Sequence, residues 1–111
     1  MPSARALGRS LPCQGEIWWA EAEGKRRPAL VVTRSEAIEV LQWIVVAPVT
    51  RTVRDIPTEV RLGQEHGLPA ECAASFDNLQ PIRRSFLTER IGALGPDRGE
   101  LCRALEALAD C

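Results

Sequence analysis

No apolar run in the sequence approaches the ~20 residues of a membrane-spanning helix. The first twelve residues carry Arg5 and Arg9 but lack the apolar core of a secretory leader. A membrane location is therefore not expected, and a cytoplasmic one is. The four cysteines, Cys13, Cys72, Cys102 and Cys111, stand far apart and form no CxxC pair. That leaves a zinc site or redox dithiol without its usual spacing, and reduced thiols are expected. There is one histidine, His66, and one lysine, Lys25; the remaining cations are all arginine. Net charge is −1, which excludes a uniformly basic nucleic-acid binder.

The 111 residues are 45% hydrophobic and 26% charged, enough for one globular domain with a modest core. The charge is unevenly placed. Between Lys25 and Arg54, six cations face only Glu36 and Glu39, whereas residues 97–111 carry four acids and two arginines. The cations concentrate at Gly24-Lys25-Arg26-Arg27-Pro28-Ala29-Leu30-Val31-Val32-Thr33, where three of them run into an apolar, β-branched stretch. Such a stretch reads as a buried strand. An unpaired buried charge is costly, so the cations belong at the rim of a sheet. Guanidinium groups there suit a phosphodiester, because the planar fork donates two parallel hydrogen bonds.

Residues 1–14 lack periodicity and are expected to form a flexible arm, leaving 15–111 as the folded domain. Strands are expected at 15–21, at the stretch just described, at 43–49, at the alternating Thr58-Glu59-Val60-Arg61-Leu62, at 72–79, around Ile82 and at 90–94. In the first, Ile17 and Trp19 share one face and Trp18 the other, so one indole can enter the core while the other stays at the surface. Pro48 cannot donate to a ladder, so the third strand bulges or ends there. Residues 35–42 read either as a short helical turn or as a loop. Gly95-Pro96-Asp97 opens a helix whose stripe is Leu101, Leu105 and Leu108. The expected fold is mainly β with a C-terminal α-helix, a small twisted antiparallel β-barrel.

Seven pieces occur in order along the chain: Gly15-Glu16-Ile17-Trp18, Lys25-x-Arg27-Pro28-Ala29-Leu30-Val31-Val32, Val46-Ala47-Pro48-Val49-Thr50, Pro57-Thr58-Glu59-Val60, Gly67-Leu68, Phe76-Asp77-Asn78-Leu79-Gln80 and Leu87-Thr88-Glu89-Arg90-Ile91-Gly92-Ala93-Leu94. Together they resemble the MazF/PemK family of toxin endoribonucleases. The resemblance implies a CcdB/PemK-like toxin barrel acting as a homodimer. It also implies cleavage of single-stranded RNA to 2′,3′-cyclic phosphate and 5′-hydroxyl ends without a metal or other cofactor, and neutralisation by a MazE-like antitoxin. By the same resemblance, Arg27 and Thr50 are the catalytic pair.

Around that pair, Trp18, Lys25, Arg26, Arg51, Asp77 and Asn78 are candidate RNA contacts. Each has a plainer reading. Trp18 could fill core, the three cations could be solvated, and Asp77-Asn78 could be a strand-end turn. Trp19 and Trp43 are read as core or interface. His66 lies outside the matched positions and is not assigned to catalysis. A different class of activity, poisoning of DNA gyrase by a non-catalytic toxin of the same barrel, is the alternative, and a silent nucleic-acid-binding module is a third; neither needs the Arg27/Thr50 pair.

Overall fold

The structure, a computed structural model, describes residues 11–110. Its framework is one antiparallel sheet of seven strands, curled into a half-barrel. Strands β1 (Glu16–Ala22) and β2 (Lys25–Val31) form a hairpin. A single helical turn, α1 (Ser35–Ile38), leads to β3 (Trp43–Thr50). Then come β4 (Glu59–Leu62), β5 (Cys72–Ser75), β6 (Gln80–Arg83), β7 (Leu87–Ala93) and the helix α2 (Gly99–Leu108). The spatial order is β4-β5-β3-β2-β1-β7, with β6 beside the first half of β3.

The apolar run in β2 is continuous because both of its faces are buried. Leu30 joins a core with Ile17, Ala47, Phe76, Leu94 and Leu101, on which α2 packs. Its neighbours Ala29 and Val31 point the other way, into a second core with Trp18, Ile38, Ile44 and Val46. Alternation along a strand thus feeds two cores from one stretch of sequence. The cations occupy the first three positions of β2 itself, all exposed.

The pairing of β3 lapses around Pro48. On one side, contact with β2 ends where Ala29 faces Pro48. On the other, β6 stops with Gln80 opposite Val46, and β5 begins with Ala74 opposite Val49. Between them the chain turns through Phe76–Asn78. The strand expected at 72–79 therefore ends at Ser75. Beyond Ala29, the cationic half of β2 is paired only to β1.

Other expectations are also adjusted. Gly95–Asp97 is a separate tight turn, and α2 starts at Gly99. Leu101 and Ala104 are its buried residues, whereas Leu108, in the last turn, is 40% exposed. Trp43 stands at the surface beneath Arg83, its ring 5.3 Å from the guanidinium. Of the expected arm, residues 1–10 lie outside the described residues. Gln14 is held by hydrogen bonds to Ser35 Oγ (2.9 Å) and the Val32 carbonyl (2.9 Å). No helix among the described residues is long and apolar enough to cross a membrane.

The loop before β5 presses on β7. Gly67 adopts a left-handed conformation, φ +93°, and a β-carbon on Gly92 would overlap the carbonyl oxygen of His66. Gly92 is held in the ladder opposite Ile17 of β1, and the loop is tied down through the His66 ring to Asp97 and Gly63. Gly92→Ala is expected to lower stability by about 3 kcal/mol, the upper end of ordinary overpacking, as read from urea unfolding followed by circular dichroism.

Candidate active site

The lapse at Pro48 opens a polar depression of about 420 Å³. Its wall includes Arg27 from β2, Thr50 from the end of β3, Arg51 and Arg54 from the following turn, and Ser75 and Asn78 from the break between β5 and β6. Alternation along β2 explains the selection among its cations. Arg27 lies on the face of Ala29 and Val31, while Arg26 lies on the opposite face with Pro28 and Leu30.

Arg26 is committed internally. It donates to Glu89 (2.9 Å) and Glu21 (3.4 Å) and lies over the Trp19 ring at 4.3 Å. The Thr88 hydroxyl, together with Arg26, holds the Glu21 carboxyl below its ordinary pKa. By contrast, among the described residues the side chains of Arg27 and Arg51 have no ion pair or hydrogen bond. Their donors are open to an anion, and each guanidinium brings a fixed positive charge.

Thr50 Oγ1 accepts the backbone N–H of Thr52 (3.1 Å). That occupies a lone pair and leaves the hydroxyl proton available to donate. Asn78 Nδ2 donates to Ser75 Oγ (2.8 Å), which in turn leaves the Ser75 proton unused. The depression therefore presents positive charge and hydroxyl donors. No carboxylate and no imidazole is among the described residues that line it.

The remaining candidates separate from this site. Trp18 is 3% exposed, in the second core, and its indole N–H donates to Glu16 Oε1 (3.1 Å), so its ring face is not offered to a base. Lys25 is exposed but lines neither this depression nor its neighbour. Asp77 accepts the Thr58 hydroxyl (2.6 Å) and is not among the residues that line the depression. A second hollow of about 600 Å³ shares Val49, Thr50 and Arg51 with the first, and Trp19 and Arg26 line it.

Two nucleophile or base candidates are removed by their surroundings. Burial pushes the Cys72 thiol above its ordinary pKa, with Arg51 opposing only in part, so little thiolate exists at neutral pH. His66 is 4% exposed; its Nδ1 accepts the Gly63 N–H (3.2 Å) and its Nε2 donates to Asp97 (2.8 Å). Both ring nitrogens are occupied, one within its own loop and one in joining that loop to the turn before α2. Among the described residues no group of three or more His, Cys, Asp or Glu side chains could hold a metal ion.

The sequence profile of the PemK-like, MazF-like toxins of type II toxin–antitoxin systems matches residues 13–109. The chain belongs to this family. It is 39% identical over 107 residues to the Probable endoribonuclease MazF5 of Mycobacterium tuberculosis, across 92% of this chain and 96% of that protein. Its fold is similar to that of the Mycobacterium tuberculosis toxin MazF-mt6, with a TM-score of 0.78, 34% identity and coverage of 86% and 96%. It is also similar to a MazE–MazF structure from Deinococcus radiodurans, with a TM-score of 0.75, 26% identity and coverage of 91% and 97%.

Within the MazF-like barrel, four of the eight residues named from the sequence, Arg27, Thr50, Arg51 and Asn78, line one depression, together with Arg54 and Ser75, which the sequence did not single out. Arg54 had a signal, since it belongs to the cationic segment 25–54. Ser75 had none, because only the break in the β5–β6 edge turns it toward the pocket. The division of labour among neighbouring arginines is measurable. Arg27→Ala is expected to leave unfolding free energy within about 0.5 kcal/mol. Arg26→Ala, which loses two ion pairs and a ring contact, should cost about 1 kcal/mol.

Proposed function

We propose that this MazF-like protein is a toxin endoribonuclease that cleaves single-stranded RNA by transesterification, with Arg27 and Thr50 as catalytic residues. The observation that carries the reading is the meeting of these two side chains, from different strands, in one depression beside Arg51 and Arg54. The relatives' names support the same activity: the matched Mycobacterium tuberculosis protein is called an endoribonuclease. The gyrase-binding alternative has no support in the family match or in those names.

In this reaction the ribose 2′-oxygen loses its proton and attacks the adjacent phosphorus. The bond to the 5′-oxygen breaks and that oxygen takes up a proton, leaving a 2′,3′-cyclic phosphate and a 5′-hydroxyl. Negative charge builds on the non-bridging oxygens as the phosphorane forms. Arg27 stabilises that charge with a guanidinium that has no internal partner to give up, and Thr50 donates its free proton to a phosphoryl oxygen. Arg51 and Arg54 position the phosphodiester, and Asn78 with Ser75 supplies neutral polar contact at the same wall. The lining supplies stabilisation and orientation. No cofactor is required by this chemistry.

The remaining features of the reading rest on the family. The protein works as a homodimer in the cytoplasm, and a MazE-like antitoxin covers the cationic depression. The MazE–MazF structure from Deinococcus radiodurans supports a partner of that kind.

Purified protein incubated with a single-stranded RNA ladder in EDTA should give fragments with 5′-hydroxyl ends. Arg27→Ala and Thr50→Ala should each slow cleavage at least about a hundredfold, the usual loss on removing one preorganised donor, while the circular dichroism spectrum is unchanged. Thr50→Ser should retain most activity. RNA that remains intact with well-folded wild-type protein would refute the reading, and bound but uncut RNA would indicate a silent binding module.

A further inference from the structure

Glu59, the first residue of β4, is a carboxylate in an unusual position. The residue is 3% exposed. Its Oε1 accepts the backbone N–H groups of Arg54 (2.9 Å) and Asp55 (3.2 Å). Its Oε2 is buried and has no hydrogen-bond partner. The cation it faces is the Arg54 guanidinium, at 3.8 Å. A buried carboxylate oxygen without a donor is unfavourable, so the side chain calls for an explanation beyond packing.

What it holds is the turn that carries the third arginine of the site. Asp55 adopts a left-handed conformation, φ +59°, so that successive N–H groups point together at the carboxylate, as in an anion-binding nest. From the other side, Arg103 of α2 donates to the carbonyls of Pro57 (2.7 Å) and Glu59 (2.9 Å). The turn is therefore fixed to the sheet and the helix at both ends. At 3.8 Å, Glu59 attracts the Arg54 guanidinium without consuming a hydrogen bond. Among the described residues Arg54 has no other side-chain partner. Its donors stay open toward the depression it lines.

We propose that Glu59 is a positioning residue that sets the Arg54 turn and aims its guanidinium at the substrate phosphodiester. This rests on the ribonuclease reading above. Glu59 touches no substrate and acts only through Arg54. The oxygen left unmet in the resting fold is the consequence of orienting a cation whose donors are reserved for RNA.

The test is a double-mutant cycle on RNA cleavage, with unfolding midpoints measured alongside. Glu59→Gln preserves the acceptor for the two backbone N–H groups but removes the charge facing Arg54. It should keep the wild-type fold while kcat/KM falls about tenfold, the order of loss expected from a misplaced positioning group. Arg54→Ala should lower kcat/KM by at least as much, and adding Glu59→Gln to it should change little further. A merely structural Glu59 would give the same fold-loss in both backgrounds, and that result overturns the proposal. So does an Arg54→Ala variant that cleaves like wild type, a comparison that does not depend on any Glu59 variant folding. Wild-type protein that leaves RNA intact would instead overturn the ribonuclease reading, and this proposal with it.

Discussion

A proline has no N–H to give to a β-ladder, and the site of this protein depends on that missing donor at Pro48. The third strand runs straight through this position, yet its neighbours on both sides change there. The second strand is paired with it only from Ala29 onward, and the opposite edge passes from β6 to β5 through the turn Phe76–Asn78. The opening is where Arg27, Thr50, Arg51, Ser75 and Asn78 meet. A fully paired sheet would have placed backbone where the depression lies.

The distribution of arginines follows the same division. Arg26, Arg61, Arg84, Arg90 and Arg103 are tied to carboxylates or carbonyls and fasten strands, turns and helix to one another. Arg27 and Arg51 are left without such partners. A nearly neutral chain can thereby maintain a concentrated positive region, since most of its acids are spent on its own framework. Local charge, not net charge, governs attraction of a polyanion.

The proposed electrostatic catalysis needs these charges fixed before the substrate arrives, so that no reorganisation is required during reaction. The structure provides that in three ways. The register of β2 decides which face Arg27 takes. The end of β3 carries Thr50, with its oxygen engaged by Thr52. The turn after it is bound by Glu59 and Arg103. His66 and Asp97, by contrast, serve the scaffold, pinning the loop that lies across Gly92.

The linear sequence determined the strand character of most segments, the terminal helix and the family motif, because period-two alternation, β-branched runs and the helical spacing of Leu101 and Leu105 act over a few neighbours. It also determined that Arg27 and Thr50 deserved attention together. It could not decide which cations face the site. Lys25, Arg26 and Arg27 look alike in one dimension; only the folded sheet puts Arg27 in the depression, ties Arg26 to Glu21, Glu89 and Trp19, and leaves Lys25 outside it. Trp18 and Trp19 likewise differ by a single step, yet one fills a core and the other lies under Arg26. The truncation of β5 at Ser75, and the recruitment of Ser75 and Arg54, were decided by the tertiary structure. They depend on strands distant in sequence losing and regaining partners around Pro48, and no local pattern records that geometry.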